Sequence, residues 1–230
     1  DLVLNYPVAQ DVLASLVGKL IDQSPEHIVV GNGAAELIKI VSGHIARKII
    51  ISVPSFNEYA NAAPAGRAIE FPLEIPSFQL DVDKFADRII ETHADVAVVV
   101  TPNNPTAMAV PKTDLIRLAK KLADHDCQLI IDESFIDFVQ DPGQKSGQTS
   151  MEDQIETYPN IVIFKSMSKA YGICGLRIGY LLTRNSNFIK AVRKGVHIWN
   201  INGFAEEFLR ILPDYSDVFI KSCNQVKKDR

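Results

Sequence analysis

The segment of residues 166–177 carries side chains that could do chemistry together. Ser166, Ser168, Lys169 and Arg177 stand within twelve residues. A lone lysine is nearly always a surface charge, but Lys169 follows an apolar run, and an arginine can bind phosphate through two parallel hydrogen bonds. A partly buried amine beside other cations favours Schiff-base chemistry. The segment therefore indicates a reactive lysine beside a phosphate-binding arginine.

A second reactive group is the acidic pair Asp132 and Glu133, which follows the candidate strand of residues 128–131. A carboxylate at the end of a buried strand is unfavourable unless a cation or hydrogen-bond donors meet it. Asp132 could bind the metal of a P-loop ATPase, but the chain has no G-x-x-x-x-G-K-[ST] motif to hold the phosphates. The other interpretation is an ion pair with the protonated ring nitrogen of a cofactor. Glu133 is expected to support or cap this strand end.

Two loops that follow other apolar runs could also contribute to a site. In Gly31-Asn-Gly-Ala-Ala-Glu36, small residues open a helix, where backbone N–H groups can approach an anion. A plain helix-opening turn explains this loop equally well. A dinucleotide site is disfavoured, because Glu36 stands where the third glycine belongs. For Thr101-Pro-Asn-Asn-Pro-Thr106, a rigid turn capped by asparagine is the favoured interpretation.

These motifs need a sheet whose strand ends meet at one edge. Short apolar runs alternate with amphipathic helical patterns, which favours a doubly wound α/β domain with a mostly parallel sheet. Strands are predicted at residues 27–30, 48–53, 68–73, 96–100, 128–131, 161–164 and 176–182. Helices are predicted at residues 9–22, 33–43, 57–63, 83–93, 112–125, 187–194 and 202–212, and a surface loop at 140–153. In such sheets, ligands bind beyond the carboxyl ends of the strands.

Composition narrows the possible functions. The 230 residues are 47% apolar and 23% charged, and the net charge of −4 indicates no surface for nucleic acid. No apolar stretch approaches the roughly 18–20 residues that a membrane span needs. Cys127, Cys174 and Cys223 are spaced neither for disulfides nor for a metal site. A reducing, cytoplasmic setting is therefore expected, and no metal site is predicted.

The pattern S-x-S-K-x-x-G-x-x-G-x-R at residues 166–177 resembles the lysine signature of class I and II aminotransferases, the fold-type I enzymes that use pyridoxal phosphate (PLP). Five further pieces match in order along nearly the whole chain: Asn5-Tyr-Pro7, Gly31 to Glu36, Pro54-Ser-Phe56, Asn104-Pro-Thr106 and Asp132-Glu133. Each piece is weak alone, whereas all six in order are a strong signal. The resemblance is greatest to histidinol-phosphate aminotransferases and threonine-phosphate decarboxylases. It implies a three-layer α/β/α fold with about seven strands.

The resemblance implies a role for each matching residue. Lys169 would hold PLP as a Schiff base and move the proton at the substrate's Cα, and Asp132 would pair with the pyridinium nitrogen. Asn104 would hydrogen-bond the phenolic oxygen, and Phe56 would stack on the ring. The residues implied around the cofactor phosphate are Gly33, Ala34, Ala35, Ser166, Ser168 and Arg177. Tyr6 would reach the cofactor phosphate of a neighbouring subunit, which implies a homodimer with shared active sites.

Two positions depart from the family pattern. Ala107 replaces the glycine that usually follows Asn-Pro-Thr, a change that would stiffen the loop. Phe135 replaces the tyrosine that commonly stands three residues after the aspartate, so a donor to the phenolic oxygen is lost. Phenylalanine at this position is associated more with the decarboxylase branch.

The resemblance implies a PLP-dependent aminotransferase that moves an amino group between a histidinol-phosphate-like donor and a 2-oxo acid. A PLP-dependent threonine-phosphate decarboxylase is the alternative in the same fold. A non-catalytic PLP-fold domain for dimerisation or regulation is the alternative of another class. The expected partners are small amino and keto acids, with neither nucleic acid nor a membrane. Residues 1–212 are predicted to form the PLP-binding large domain, and residues 213–230 to begin a helix leading to a C-terminal small domain outside this chain.

Overall fold

Seven strands alternate with helices along the chain, as the apolar runs predict. The computed structural model describes residues 2–139 and 149–229. The strands are β1 (Ile28–Asn32), β2 (Ile49–Val53), β3 (Ala68–Pro72), β4 (Val96–Val100), β5 (Gln128–Asp132), β6 (Ile161–Ser166) and β7 (Ile178–Leu182). Each strand overlaps a predicted one, so the apolar runs locate the sheet correctly.

The seven strands form one sheet in the order β1-β7-β6-β5-β4-β2-β3. β7 runs antiparallel to both of its neighbours, β1 and β6, and the other strand pairs are parallel. All five residues of β4 and of β7 are buried, because helices cover both faces of the sheet. The prediction of a mostly parallel sheet of about seven strands is confirmed.

Helices form a layer on each side of the sheet. They are α1 (Gln10–Ile21), α2 (Gly33–Ile40), α3 (Glu58–Ala62), α4 (Val82–Thr92), α5 (Lys112–Lys121), α6 (Met167–Ala170), α7 (Ser186–Gly195), α8 (Gly203–Ile211) and α9 (Ser216–Lys228). The core on one side, called the α1 face, includes side chains of α1, α4, α5 and α8. The core on the other side, called the α2 face, includes side chains of α2, α3 and α7. This is the predicted three-layer arrangement.

Several local predictions are wrong. Arg177 is predicted inside a strand, but its φ of 55° is left-handed and β7 begins one residue later. The helix predicted at residues 33–43 is α-helical only to Ile40 and continues as a π-helical turn over Val41–Ile45. α6 was not expected, because four residues are too few for a helical period.

The predicted surface loop at residues 140–153 falls mostly on residues 140–148, which lie outside the described residues. In its described part, Met151 is fully buried on the α1 face, so that residue is not at the surface as predicted. Among residues 2–139 and 149–229, no helix has the length and apolar character that a membrane span requires.

One edge of the sheet gathers the motifs. The carboxyl ends of the parallel strands lie there, and β7 begins there because it runs the opposite way. Asn32 at the end of β1 pairs with Ile178 at the start of β7. The Thr101 N–H donates to the Asp132 carbonyl at 2.9 Å, which brings the turn of residues 101–106 to the same edge. We call this the carboxyl edge.

Candidate active site

Asp132 is a buried carboxylate whose partners inside the fold are neutral. It ends β5, points to the α2 face and is 4% exposed. Tyr59 Oη donates to its Oδ2 at 2.8 Å, and the Ser134 N–H donates to its Oδ1 at 3.0 Å. Burial raises the pKa of Asp132, and the bonds from Ser134 and Tyr59 oppose that rise. No cationic side chain in the described ranges pairs with this carboxylate, so it can still accept from a cation that a ligand brings.

Tyr59 is a site residue that the sequence did not indicate. It is fully buried at the second position of α3, beside the rings of Phe56 and Phe164. Burial and the nearby charge of Asp132 hold the pKa of Tyr59 well above its usual value, so it remains a donor. Its partner lies 73 residues away in the chain, and no local pattern predicts such a pair.

The two asparagines of the 101–106 turn differ. Asn103 is buried, accepts from Ser55 Oγ at 2.7 Å, and donates to the Pro54 carbonyl at 2.9 Å and to Thr106 Oγ1 at 2.8 Å. It therefore caps its own turn and fastens it to the loop that carries Phe56. Asn104, the predicted cofactor ligand, is exposed at the carboxyl edge.

The lysine segment lies directly beside the end of β5. Ser166 ends β6, and its N–H donates to Ser134 Oγ at 3.0 Å. Lys169 follows in α6, is exposed, and places Nζ 6.0 Å from the centroid of the Phe135 ring. The acid thus ends β5, and the amine predicted to act with it lies in the helix that follows the neighbouring strand β6.

Ser168 has a buried hydroxyl that the fold does not satisfy. The residue is 1% exposed, and its Oγ has no hydrogen-bond partner among the described residues. Buried hydroxyls are normally paired, and an unpaired one needs an explanation. An acceptor supplied by a ligand would be such a partner.

Arg177 lies over the start of α2. The Gly33 N–H donates to the Arg177 carbonyl at 2.9 Å, and a Cβ built on Gly33 would come within 2.6 Å of Arg177 Nη2. Gly33 has a left-handed φ of 69°, and this backbone conformation is what favours glycine there, since the end of the flexible Arg177 side chain can shift. A guanidinium beside the N-terminus of a helix is a favourable place for an anion. Next along α2, Ala34 is buried and Ala35 is exposed.

Glu36 has a structural role in the same turn. Its Oε2 accepts from the Asn32 N–H and from Asn200 Nδ2, both at 2.7 Å. The residue that breaks the dinucleotide motif therefore caps the start of α2.

Tyr6 lies apart from these residues in the single chain. It is 76% exposed and stacks on Trp199, with ring centroids 4.0 Å apart and planes inclined by 16°. The contact fixes the position of Tyr6 on the surface but does not bring it to Lys169.

Glu133 points to the opposite face from Asp132. It is fully buried, and its carboxylate accepts from Ser150 Oγ at 2.6 Å and from the Met151 N–H at 2.7 Å. Burial, and then the nearby charge of Glu152, raise the pKa of Glu133 to about 7. Its expected supporting role agrees with these contacts, because it anchors the chain at residues 150–151.

The residues gathered at the carboxyl edge fit PLP in three respects. Asp132 can accept from a cationic ring nitrogen, and Lys169 presents an exposed amine just after the neighbouring strand β6. At the far end of such a ligand, the close approach of Gly33 to Arg177 provides donors for a phosphate. The unpaired hydroxyl of Ser168 adds one more donor.

Comparisons with known proteins find relatives along nearly the whole of this chain. A protein of Streptomyces rubellomurinus named CMP-5'-(3-aminopropyl)phosphonate synthase is 40% identical over 100% of this chain and 36% of its own length. The L-serine phosphate decarboxylase of Sulfurospirillum multivorans is 32% identical over 97% of this chain and 57% of its own length. The crystal structure of the histidinol-phosphate aminotransferase of Clostridium acetobutylicum superposes with a TM-score of 0.81, at 25% identity, over 97% of this chain and 64% of that one. This chain thus spans about one to two thirds of these relatives.

The family model described as aminotransferase class I and II matches residues 5–210. The match covers the strand ends and the lysine segment described above. The chain therefore belongs to the class I and II aminotransferase family, and its predicted cofactor, pyridoxal phosphate, is confirmed with that membership.

Proposed function

We propose that this protein is a PLP-dependent decarboxylase of a small phosphorylated amino acid, such as serine phosphate. Asp132 carries the PLP-binding part of the proposal: it is a buried carboxylate whose partners in the described chain are neutral, next to the strand that leads to Lys169. That arrangement suits a ligand with a protonated ring nitrogen and a group that reacts with an amine.

Bound PLP would supply an electron sink for the bond broken at the substrate's Cα. Asp132 would hold the proton on the ring nitrogen through an ion pair that burial strengthens. Lys169 would attach the cofactor through Nζ and later deliver a proton to the carbon that has lost CO₂. Phe56 would cover one face of the ring, and Asn104 would donate to its phenolic oxygen.

The start of α2 and the lysine segment would bind the cofactor phosphate. The donors would be the backbone N–H groups of Ala34 and Ala35 and the side chains of Ser166, Ser168 and Arg177. Gly33 would shape the turn, because its own N–H already donates to the Arg177 carbonyl. The guanidinium of Arg177 carries the only full charge in this set, and the helix start adds a partial positive charge. Together they would fix the cofactor so that its reacting end faces Lys169.

Two observations support decarboxylation. Over 97% of its residues, this chain is 32% identical to an L-serine phosphate decarboxylase. Phe135 also presents a hydrocarbon ring to the Lys169 amine, where a tyrosine would present a hydroxyl. In decarboxylation, Lys169 would only protonate the substrate's Cα. In transamination, it would take a proton from that Cα and deliver it to a carbon atom of the cofactor.

Transamination of a histidinol-phosphate-like donor with a 2-oxo acid is the second candidate. The superposition on a histidinol-phosphate aminotransferase supports it. Both candidates use the same residues at the carboxyl edge, so they differ in the substrate contacts and not in the cofactor site.

The test uses the full-length protein with PLP. We expect O-phospho-L-serine to release CO₂ in equal amount with phosphoethanolamine, without a 2-oxo acid. Glutamate formed from 2-oxoglutarate and histidinol phosphate, with no CO₂ release, would favour the aminotransferase. Lys169→Ala should abolish turnover, and Lys190→Ala, at an exposed lysine of α7, should not. If the protein binds PLP but turns over neither substrate, the result favours the alternative of a non-catalytic PLP-fold domain.

We further propose a homodimer in which Tyr6 reaches the partner's cofactor phosphate, since Tyr6 is exposed and held by Trp199. Residues 1–212 would be the large domain, and residues 213–230, which include α9, would lead to the small domain. Sedimentation of the full-length protein tests the dimer, and Tyr6→Ala should weaken PLP binding. The cytoplasmic location rests on the sequence and stays a prediction.

A further inference from the structure

Two neutral donors, the Tyr59 hydroxyl and the Ser134 backbone N–H, hold Asp132 from different parts of the fold. Tyr59 comes from α3 and donates to Oδ2, while Ser134 follows β5 and donates its N–H to Oδ1. Ser134 Oγ in turn accepts from the Ser166 N–H at 3.0 Å. Hydrogen bonds thus link α3, the end of β5 and the residue that precedes α6.

We propose that Tyr59 and Ser134 are positioning residues that keep the Asp132 carboxylate ionised and in one orientation, and that Ser134 also ties it to the turn bearing Lys169. This inference rests on the proposed PLP function. It assigns a task to two residues that neither the lysine signature nor the acidic pair contains.

The burial of Asp132 explains why such help is needed. Its neighbours in the sheet are apolar, Val100 on β4 and Phe164 on β6. In those surroundings a carboxylate tends to take up a proton, and a protonated Asp132 could not pair with a ring nitrogen. Of the titratable side chains in the described chain, Tyr59 is the one that faces this carboxylate. Its hydroxyl stabilises the charge.

A neutral donor suits this place better than a cation. A lysine or arginine in the position of Tyr59 would neutralise Asp132 and compete with the ligand. A phenol donates one hydrogen bond and leaves the negative charge available. Because Tyr59 is fully buried, its hydroxyl also has no water to compete for that bond.

The bond between Ser134 and Ser166 adds a fixed spacing. Ser134 is 8% exposed, and its side chain spans the gap between the ends of β5 and β6. Asp132 and Lys169 must engage one rigid cofactor, so a shift of either strand end would disturb both contacts. Ser134 joins the two ends through one side chain.

The test compares Tyr59→Phe with Tyr180→Phe in the full-length protein. Tyr180 is a matched control, because it is also buried and donates to a carboxylate, Glu152, but on the α1 face. Each variant loses one hydroxyl and keeps its ring. The measurements are the PLP dissociation constant between pH 5 and 9, followed by fluorescence, and the unfolding midpoint without PLP.

We expect Tyr59→Phe to weaken PLP binding about tenfold, the effect of losing one hydrogen bond to a charged group, and Tyr180→Phe to change it by less than about twofold. The sign of the pH effect is specific. Removing a donor favours protonated Asp132, so acidification should weaken PLP binding at a higher pH in Tyr59→Phe than in the unchanged protein. A purely structural role would weaken binding equally at every pH.

Several outcomes overturn the inference. They are an unchanged dissociation constant in Tyr59→Phe, a loss without a shift along the pH axis, and an equal loss in Tyr180→Phe. If Tyr59→Phe does not fold, Ser134→Ala decides. It keeps the Ser134 backbone donor but removes the side chain, which also lowers the pKa of Asp132 and accepts from the Ser166 N–H, so it should weaken PLP binding and shift the profile in the same direction. If the unchanged protein binds no PLP, the proposed function fails first. If the unchanged protein binds PLP and the variants bind it equally well, this inference is refuted while the proposed function stands.

Discussion

Asp132 and Glu133 are adjacent buried acids on opposite faces of the sheet, and the fold satisfies them to different degrees. Asp132 meets neutral donors, from Tyr59 and from the Ser134 backbone. Glu133 also meets neutral donors, but it lies within the electrostatic reach of Lys165. The charge of Asp132 is therefore available to a cationic ligand, whereas Glu133 belongs to a network that contains its own cation, Lys165.

That network on the α1 face is made of Glu133, Asp137, Glu152, Lys165 and Tyr180, and we call it the closed network. Lys165 Nζ lies 3.2 Å from Asp137 Oδ1, and the Tyr180 hydroxyl donates to Glu152. Burial lowers the pKa of Lys165, but its acidic neighbours outweigh burial and raise it above the usual value. The cation is supplied by the chain itself.

The residues at the carboxyl edge form an open cluster of Asp132, Ser168, Lys169 and Arg177. The Ser168 hydroxyl has no partner within residues 2–139 and 149–229, Lys169 is exposed, and Arg177 crosses the start of α2. The comparison teaches that burial alone does not identify a site. A buried charge marks a site when the fold provides no opposite charge for it.

The largest expected contrast is between the two acids. Asp132→Asn should lower turnover by on the order of 10³-fold, because the charge opposite the ring nitrogen is lost while the shape is kept. Glu133→Gln should stay within about fivefold, since its contacts are structural. Steady-state rates of the PLP-loaded protein measure both. Equal losses in the two variants would contradict the division into an open and a closed region.

The next contrast uses two lysines four residues apart. Lys165→Met should destabilise the apo protein by about 3 kcal/mol or more, because it leaves the buried Glu133 and the half-buried Asp137 without their cation. Lys169→Met, at an exposed position, should change stability by less than about 0.5 kcal/mol while losing the covalent cofactor. Urea unfolding without PLP gives both values. If Lys165→Met were as stable as the unchanged protein, the closed network would not contribute to the stability of the fold.

The closed network also predicts how stability depends on pH. Burial raises the pKa of Glu133 from 4.5 to about 7, so the unfolded chain releases this proton at a lower pH than the native protein does. Stability should therefore fall as the pH rises from about 4.5 to 7, by up to about 3 kcal/mol from this group. Glu133→Gln removes the contribution, so its stability should fall less over that window. Urea unfolding at pH 4.5 and 7.5 tests the difference, which would be zero if Glu133 were ionised throughout.

The sequence predicted the framework well because the sheet is buried on both faces. Runs such as Val96–Val100 are apolar at every position, and that pattern needs no knowledge of the rest of the chain. The carboxyl edge followed from the alternation of strands and helices. The adjacency of β5 and β6, which brings Asp132 close to the lysine segment, was not predicted, because the pattern along the chain does not give the strand order.

The partners of those residues could not be predicted in the same way. The bond from Tyr59 to Asp132 joins residues 73 apart, and the bond from Ser166 to Ser134 joins residues 32 apart. Such pairs depend on the packing of particular helices and strands, which a periodic pattern does not encode. The left-handed φ of Arg177 was also missed, because the apolar run beside it favours a strand. The assigned roles of the site residues stay predictions until variants are measured.

The smallest expected contrast lies within one turn. Asn103 is bonded inside the fold, like the closed network, and Asn104 is exposed at the carboxyl edge, like the open cluster. Asn103→Ala should destabilise the apo protein by about 1–2 kcal/mol, because three hydrogen bonds to Pro54, Ser55 and Thr106 are lost in a partly buried place. Asn104→Ala should change stability by less than about 0.5 kcal/mol, since that residue is exposed.

In cofactor binding the order should be reversed, with Asn104→Ala showing the larger effect. Asn104→Ala removes the proposed donor to the phenolic oxygen, so PLP binding should weaken by about three- to tenfold at unchanged stability. Asn103→Ala keeps that donor, and its binding should recover at low temperature, where the native turn is populated. Measuring both quantities at 10 °C and 25 °C separates the effects. A loss of binding in Asn103→Ala that persists at 10 °C, with Asn104→Ala unaffected, would assign the ligand contact to the buried asparagine and reverse the division.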